Sequence, residues 1–483
     1  MVASIASGPA SFRVPLPFCC SSCSLWPLSG SLVSCPLAGD CRVVTPRDDA
    51  LDWLLRFSDP IRGVGWNART TLSPIWKLAR ARALLDGADA PDRAVPAVTI
   101  AGTNGKGSTA AMLAAIVAAT GLRVGLFTQP HLHHFRERIR IDGRPIDASQ
   151  FANAVEAARF SLAVLARHHP EAGEPTTFEL SVVTAASAFA RDGVDLAIYE
   201  VGLGGRLDPV NAIDPIASAI TMIDLDHVGI LGHTITAIAR EKSGIMRPGR
   251  VVVTGVQRSA AQRVLSAEAR RVAARLLVQQ PLARVGNRQN GLVVTVPGID
   301  RPITPGLRGD FQRANSAIAV GVARALSEIG FTISDDAIAS GLGATRWPGR
   351  MELVDGSPPI LIDGAHNPAG ARALAAAMRP LIQRGYDLIV GSAGDKDIRL
   401  LLAPFARRAR RVWTTSAGEG RSADPDRIAE IARELGATVQ AMPSVAAAIE
   451  AARSGGAQFI VATGSLRIAA LAREYCGLAD GSD

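Results

Sequence analysis

Apolar and polar positions along the chain follow two different periods. Apolar residues recur at helical spacing in four segments that predict amphipathic helices, at 49–57, 75–85, 149–167 and 178–191. Short apolar runs near these segments predict buried strands, at about 97–101, 123–128, 195–200 and 217–223. Strands that alternate with helices predict a parallel sheet, and therefore a fold of the α/β class.

The same alternation resumes after a glycine-rich stretch. GLGATRWPGR at 341–350 predicts a linker, because glycine and proline interrupt regular structure. Five apolar runs follow it, each with a helical segment behind it: ILIDGAHN, DLIVGSAGDKD, RRVWTTSA, TVQAM and QFIVATGS. We therefore expect a larger α/β domain over 47–342 and a smaller one over 343–483.

The first 46 residues differ in composition from the rest. They contain five of the six cysteines, Cys19, Cys20, Cys23, Cys35 and Cys41, without regular metal-binding spacing beyond Cys20-x-x-Cys23. The absence of acidic residues before Asp40 would suit a processed leader, but a basic start and a clean apolar stretch are missing. We expect a disordered extension or a start codon assigned too early. The remainder contains one cysteine, Cys476, which fits a reducing cytoplasm.

Composition narrows the class of ligand. The chain has 48% hydrophobic and 20% charged residues, as is typical of globular proteins, and no apolar run long enough to predict a membrane span. A formal net charge of +8 suits an acidic partner. Because long basic runs are absent and aromatic residues are few, small anionic substrates are favoured over nucleic acid. We expect a cytoplasmic monomer.

Lysine is rare in this chain. Only four of the 52 basic residues are lysines, at positions 77, 106, 242 and 396. In a chain that uses arginine so heavily, lysine is expected to remain where a guanidinium group cannot replace it. Lys106 and Lys242 lie in the motifs described next, and Lys396 lies in the GDKD stretch at 394–397.

AVTIAGTNGKGSTAAML, at 97–113, joins an apolar run to an alanine-rich helix through a glycine-rich turn. Such a turn can hold phosphate, because backbone N–H groups converge there and the helix N-terminus is partially positive. Lys106 would add charge, and Ser108 or Thr109 a hydroxyl for a metal. The stretch departs from the Walker pattern, since Ile100 replaces its first glycine and Gly107 follows the lysine. A simple tight turn is the alternative.

Four candidate site residues fall at the ends of predicted strands, where ligands of parallel sheets gather. They are Gly102, Gln129, Glu200 and Asp226. Glu200 would suit Mg²⁺, which prefers oxygen ligands, or it could be a capping or ion-paired glutamate. His227 could be a ligand or a structural histidine.

Two further stretches have both a functional and a structural interpretation. In REKSGIM (240–246), Lys242 beside Glu241 is ordinarily a solvated charge pair. In DGAHNP (363–368), Asp363 and Asn367 could be turn and capping residues. Arg350 could contact phosphate or lie on the surface.

Together, six motifs resemble those of folylpolyglutamate synthase and dihydrofolate synthase, within the Mur ligase superfamily. The motifs occur in order: GTNGKGS (102–108), EVGLGGRLD (200–208), LDH (225–227), EKSGI (241–245), PGR (348–350) and DGAHNP (363–368). The resemblance runs from about residue 48 to the end of the sequence.

The resemblance implies a P-loop parallel-sheet ATPase domain followed by a smaller Rossmann-like α/β domain. It also implies an ATP-dependent ligase that phosphorylates a carboxylate and then joins it to L-glutamate, with ATP and Mg²⁺ as cofactors. The implied ATP-binding residues are Thr103, Asn104, Gly105, Lys106, Gly107, Ser108, Asn315, Arg350 and Asp363. Lys106, Lys242 and His366 are implied at the reacting centre.

The resemblance further implies a metal site and an acceptor site. The metal ligands would be Glu200, His227, Ser108 and Lys242, whose counterpart in the family is typically carbamylated. Gln129 stands where the family usually has a serine that contacts metal, and its amide oxygen can take that role. Phe311 stands where histidine is common. Pro130, His131, Arg206 and Lys396 would contact substrate, and the pteridine would approach QPHLHHF and 75–85.

We therefore predict an enzyme that adds glutamate both to dihydropteroate and to reduced folates. Folylpolyglutamate synthesis alone is the main alternative. A Mur-type peptide ligase and a basic nucleic-acid-binding P-loop protein are weaker ones. The expected partners are small molecules, with neither nucleic acid nor membrane.

Overall fold

The computed structural model describes residues 46–59, 63–67, 74–288, 291–382, 385–416, 418 and 422–479. For 46–48, 74–77 and 287–288 it describes the backbone alone. Residues 1–45 of the predicted extension, with their five cysteines, lie outside the described part of the chain. Lys77 falls among the residues whose side chains are not described.

The helices of the described chain include the four predicted from periodicity, and their bounds agree within about three residues. They are α1 (Pro46–Leu55), α2 (Pro74–Gly87), α3 (Lys106–Ala118), α4 (Ala148–His168), α5 (Thr177–Arg191), α6 (Val228–Leu231), α7 (Ile235–Ser243), α8 (Ser259–Arg271), α9 (Gln312–Glu328), α10 (Asp335–Ala344), α11 (Pro368–Met378), α12 (Ile398–Ala406), α13 (Pro425–Glu434), α14 (Val445–Ser454) and α15 (Leu466–Tyr475). In the part of the chain that is described, no helix is long and apolar enough to cross a bilayer.

The strands fall into two large sheets and a hairpin. They are β1 (Ala97–Ala101), β2 (Val124–Phe127), β3 (Ile139–Ile141), β4 (Arg144–Pro145), β5 (Leu196–Glu200), β6 (Ala217–Ile220), β7 (Val251–Gly255), β8 (Arg275–Gln279), β9 (Ala283–Arg288), β10 (Gly291–Thr295), β11 (Glu352–Val354), β12 (Ile360–Ile362), β13 (Tyr386–Val390), β14 (Ala409–Thr414), β15 (Val439–Ala441) and β16 (Ile460–Thr463).

The first sheet has the order β4-β3-β2-β5-β1-β6-β7-β8. Its six strands β2, β5, β1, β6, β7 and β8 run parallel to one another. Every residue of β1 and β5 is buried, because helices cover both faces of the sheet. Val98 and Ile100 pack with α3, α9 and α10, whereas Ala97 and Ala101 pack with the core of α1, α2, α4 and α5. We call this part, residues 46–344, the central lobe.

The second sheet has the order β11-β12-β16-β13-β14-β15, parallel except for β11. Helices α11, α12 and α13 pack on one face of it, and α14 and α15 pack on the other. We call this part, residues 349–479, the C-terminal lobe. The predicted fold class, two α/β domains with parallel sheets, is confirmed.

Several local features differ from the sequence interpretation. The antiparallel strands β3, β4 and β11, the parallel strands β7 and β8, and the hairpin β9–β10 have no counterpart in the prediction. The predicted linker begins inside α10, so the division at 342/343 falls in the last turn of that helix. Gly341 explains this, because a Cβ there would lie 2.4 Å from the Ile116 Cα of α3, and the close contact holds α10 on the central lobe.

Candidate active site

A cavity of about 400 Å³ lies between the two lobes, beyond the carboxyl ends of both sets of parallel strands. We call it the cleft. Most residues predicted for the site line it: Thr103, Asn104, Gly105, Lys106, Gly107, Ser108, Gln129, Pro130, Glu200, His227, Lys242, Asn315, Arg350, Asp363 and His366. The fold thus brings together residues from both halves of the sequence.

The glycine-rich turn between β1 and α3 has a backbone that only glycine accommodates. Gly102 has φ +147°, and a Cβ there would lie 1.8 Å from the Thr221 hydroxyl oxygen. Gly105 has φ +90°, and its Cβ would lie 2.3 Å from Asn315 Oδ1. The turn therefore brings its backbone close to α9 and leaves the N-terminus of α3 facing the cleft, as a phosphate site requires.

Lys106 and Glu200 lie side by side in the cleft. Lys106 Nζ is 3.4 Å from the Thr103 carbonyl oxygen and 3.9 Å from Glu200 Oε1. Glu200 is the last residue of β5 and is buried, and its Oε2 accepts a hydrogen bond from the Gln129 backbone N–H at 3.3 Å. Burial raises the pKa of Glu200, although Lys106 opposes the shift. The long distance to Lys106 leaves this carboxylate incompletely neutralised.

The donor set suits a cation that keeps water and phosphate among its ligands. No group of three or more His, Cys, Asp or Glu side chains forms a metal cluster among the residues that the structure describes. Glu200 and Ser108 nevertheless both line the cleft, and Mg²⁺ commonly binds proteins through one or two carboxylates. His227 has a side chain that is 39% exposed, and burial of its ring lowers its pKa to about 4, so the imidazole is neutral.

Lys242 is buried rather than paired with Glu241 in solvent, so the solvated-pair interpretation is wrong. It lies near the end of α7, is 5% exposed, and donates a hydrogen bond to the Gly102 carbonyl oxygen at 2.7 Å. Burial, and then the positive charge of Lys106, lowers the pKa of Lys242 to about 7. A substantial fraction of this amine is therefore neutral at physiological pH.

The C-terminal lobe contributes Asp363, which follows β12. Its carboxylate accepts hydrogen bonds from the backbone N–H groups of Met351 at 2.9 Å and Ala365 at 2.8 Å. Burial raises the pKa of Asp363, and the nearby Arg350 opposes the shift. The carboxylate therefore shapes the turn as expected of a turn residue, and it also lines the cleft.

Asp226 of the central lobe contacts several side chains of the C-terminal lobe. The sequence interpretation noted it only as a strand-end residue. Lys396 Nζ lies 2.7 Å from its Oδ1, and His366 Nε2 lies 3.6 Å from its Oδ2. Burial alone would raise the pKa of Asp226, but His366, His227 and Lys396 together hold it well below its usual range. The signal in the sequence was its position next to His227, beyond a buried strand.

Three predicted substrate residues are not among those lining the cleft. Lys396 reaches it indirectly, through Asp226. His131 accepts a hydrogen bond at Nδ1 from Arg138 Nε at 3.0 Å, and burial lowers its pKa to about 3. Arg206 does not line the cleft, and its guanidinium pairs with the Glu268 carboxylate at 2.9 Å. The side chains of 75–77, part of the predicted pteridine region, lie outside the described residues.

Two protein families match the two lobes. The Mur ligase middle domain matches residues 100–323, and the Mur ligase glutamate ligase domain matches residues 349–466. The gap between these two ranges, 324–348, contains α10 and most of the predicted linker.

Individual relatives match most of the chain. A dihydrofolate synthase/folylpolyglutamate synthase of Mycobacterium tuberculosis is 34% identical, over 83% of this chain and 85% of that protein. The Bacillus subtilis protein of the same name is 36% identical, over 65% and 75%. A probable bifunctional folylpolyglutamate synthase/dihydropteroate synthase of Haloferax volcanii is 34% identical, but the chain spans only 47% of its length.

Solved structures match the architecture as well. M. tuberculosis folylpolyglutamate synthase complexed with ADP and AMPPCP has a TM-score of 0.78 and 34% identity, covering 83% of this chain and 95% of that one. E. coli FolC in complex with DHPP and ADP has a TM-score of 0.73 and 27% identity, covering 90% and 98%. These matches confirm the predicted ligase class and the predicted fold of two α/β domains. The chain therefore belongs to the folylpolyglutamate synthase/dihydrofolate synthase family of the Mur ligase superfamily.

Proposed function

We propose that this chain uses ATP to join L-glutamate to dihydropteroate and to reduced folates, as a cytoplasmic monomer that acts on small molecules without nucleic acid. The observation that carries the proposal is the meeting of Lys106 and Glu200 of the central lobe with Arg350 and Asp363 of the C-terminal lobe in one cavity. The M. tuberculosis and B. subtilis relatives have names that combine both activities. The Lacticaseibacillus casei relative is named only as a folylpolyglutamate synthase, which supports the single-activity alternative.

ATP would lie across the cleft. Its phosphates would rest on the backbone N–H groups of 103–108 and on the N-terminus of α3, with Lys106 beside the outer phosphates. Asn315, Arg350 and Asp363 would contact the rest of the nucleotide. The nucleotide would thus touch both lobes and favour their closed arrangement.

The first chemical step makes a carboxylate reactive. A carboxylate oxygen of the acceptor attacks the γ-phosphorus, an oxygen–phosphorus bond forms, and the bond to the β-phosphate oxygen breaks to release ADP. The glutamate nitrogen then attacks the carbonyl carbon of the acyl phosphate, inorganic phosphate leaves, and the nitrogen loses a proton. Positioning and charge neutralisation do most of the work, and the enclosed cleft keeps water from the acyl phosphate.

Glu200 and Ser108 would hold Mg²⁺, together with His227, Gln129 and a modified Lys242. The bound cation would neutralise charge on the transferring phosphoryl group. The buried, incompletely neutralised carboxylate of Glu200 supports this assignment. Gln129 donates from Nε2 to the Glu200 carbonyl oxygen at 3.4 Å, which leaves its amide oxygen to act as a ligand.

Lys242 would carry the carbamate. Carbon dioxide reacts with a neutral amine, and the buried Lys242 amine is partly neutral near pH 7. The product is an anion close to Lys106, where a buried cation would otherwise be unfavourable.

His366 and Lys396, which contact Asp226 of the central lobe, would lie near the incoming glutamate. The pairing of Arg206 with Glu268 argues against a substrate contact for that residue.

One assay tests the proposal. Purified protein is given ATP, Mg²⁺ and L-glutamate with either dihydropteroate or tetrahydrofolate, and phosphate release and product mass are measured. Products from both acceptors are expected, and product from tetrahydrofolate alone would favour folylpolyglutamate synthesis only. Turnover with UDP-linked acceptors, or folate-independent ATP turnover with salt-sensitive nucleic-acid binding, would overturn the proposal.

A further inference from the structure

Arg138 is a buried cation in the cleft that the sequence interpretation did not single out. It ends the short 3-10 turn Phe135–Arg138, is 4% exposed, and lines the cleft with Gln129, Pro130 and Glu200. Its Nε donates to His131 Nδ1 at 3.0 Å. Among the described residues neither of its Nη atoms has a hydrogen-bond partner, and Nη1 is fully buried.

The charge of Arg138 also has no close counter-ion in the described part of the chain. Burial lowers the pKa of Arg138 to about 10, so the side chain remains protonated at neutral pH. Glu200 acts on it only through space, because no Glu200 oxygen lies within 4.0 Å of a guanidinium nitrogen of Arg138. A buried charge without a partner is strongly unfavourable, whereas an arginine that meets a carboxylate or phosphate forms charge-assisted hydrogen bonds. The free Nη atoms therefore point to an anionic ligand.

The surroundings hold the guanidinium in place before any ligand arrives. Its carbon lies 4.6 Å above the ring centroid of Phe135, and neutral His131 fixes its Nε. Glu137 fixes the loop that carries His131, since its carboxylate accepts hydrogen bonds from the backbone N–H groups of residues 132, 133 and 134. Such an arrangement suits recognition of one anion in one orientation.

The position of Arg138 limits which anion this is. The cleft wall around it, with Glu200 and Lys106, belongs to the central lobe and is where the γ-phosphate would lie. The residues proposed to meet glutamate, His366 and Lys396, belong to the C-terminal lobe instead. The group that must lie next to the γ-phosphate before transfer is the acceptor carboxylate.

We propose that Arg138 binds the carboxylate of the acceptor through its two Nη groups and directs one oxygen toward the γ-phosphorus. This inference rests on the proposed function. The same contact would then stabilise the negative charge of the acyl phosphate, so Arg138 would act as a catalytic residue rather than as a structural one.

The experiment compares Arg138→Met and Arg138→Lys with Arg136→Met. Arg136 lies on the same turn, donates to the Ile146 carbonyl oxygen at 3.0 Å, and is not among the residues that line the cleft. For Arg138→Met we expect the KM of the acceptor to rise about 100-fold, because a desolvated charge pair is lost, with the KM of ATP unchanged. Arg138→Lys should recover part of the loss, and Arg136→Met should behave like wild type.

A binding measurement separates this inference from the proposed function. Calorimetry measures the affinity for dihydropteroate and for its analogue that lacks the carboxylate. Both affinities are measured on wild type and on Arg138→Met, and Arg138→Lys is used if the methionine variant does not fold. Wild type should prefer dihydropteroate about 100-fold, and the variant should prefer it far less. An unchanged preference in the variant, or a rise confined to the KM of glutamate or ATP, would overturn the inference. If wild type lacks ligase activity but still binds dihydropteroate more tightly than the analogue, the proposed function is refuted and the inference about Arg138 stands.

Discussion

Asn367 offers a sharp test of whether contacts between the lobes set the activity. Its side chain makes four hydrogen bonds. Oδ1 accepts from the Gly370 backbone N–H at 2.8 Å and so caps α11. The other three cross to the central lobe, two of them with the Asn104 amide at 2.9 and 3.1 Å and one with Asp226 Oδ2 at 2.9 Å.

The two kinds of contact can be separated by substitution. Asn367→Ser keeps a capping oxygen but is too short for the cross-lobe bonds, whereas Asn367→Ala removes both. Loss of a cap costs about 1 kcal/mol of folding stability. The three cross-lobe bonds, at about 1 kcal/mol each, contribute about 3 kcal/mol to the closed arrangement, or about a hundredfold in its population.

The assay pairs steady-state kinetics with thermal unfolding. When the open and closed arrangements of the folded chain are close in free energy, Asn367→Ser should lose up to about a hundredfold in kcat/KM while its free energy of unfolding changes by less than about 1 kcal/mol, because the variant stays folded in the open arrangement. Asn367→Ala should show the same kinetic loss and an additional loss of about 1 kcal/mol in stability. Ser444→Ala is the matched control, because Ser444 caps α14 of the same lobe through Ala447 N–H at 3.1 Å. It should lose stability alone.

The reasoning is refuted if Asn367→Ser retains kcat/KM within about threefold of wild type, which is about 0.7 kcal/mol. It is equally refuted if Ser444→Ala loses as much activity as Asn367→Ala. Either result would mean that the hydrogen bonds between Asn367 and the central lobe do not control the working geometry of the cleft.

Three further outcomes are expected. Gly105→Ala should weaken ATP binding, measured by calorimetry, at least tenfold, because its Cβ would lie 2.3 Å from Asn315 Oδ1 at φ +90°. Lys242→Arg should fold but lose phosphate release with either acceptor, since arginine cannot form the carbamate, and full activity would contradict that modification. Backbone hydrogen bonds outweigh burial and lower the pKa of Glu137 in the folded state. Its stabilisation is therefore present above the usual glutamate pKa of about 4.3 and lost as pH falls through the folded value, so Glu137→Gln and wild type should converge in unfolding free energy at low pH.

Much of the site could be predicted from sequence because its chemistry is contiguous along the chain. The phosphate-binding turn, the glutamate at the end of β5 and the DGAHNP turn each follow a strand that its apolar run reveals. Parallel strands place their carboxyl ends at one edge, so strand-end residues meet without any knowledge of the tertiary packing. The rarity of lysine likewise pointed to Lys242 before its burial was known.

Side-chain direction and contacts between distant segments were decided only by the tertiary structure. Arg206 lies within a recognisable motif, yet its guanidinium turns to Glu268, which no local pattern encodes. Asn104 and Asn367 form hydrogen bonds although 263 positions separate them in the sequence, and Lys396 pairs with Asp226 over a separation of 170 positions. Arg138 became significant only because packing left both Nη atoms of its guanidinium without a hydrogen-bond partner among the described residues. Local residue patterns determine which groups lie at strand ends, whereas burial and pairing depend on how the two lobes pack in three dimensions.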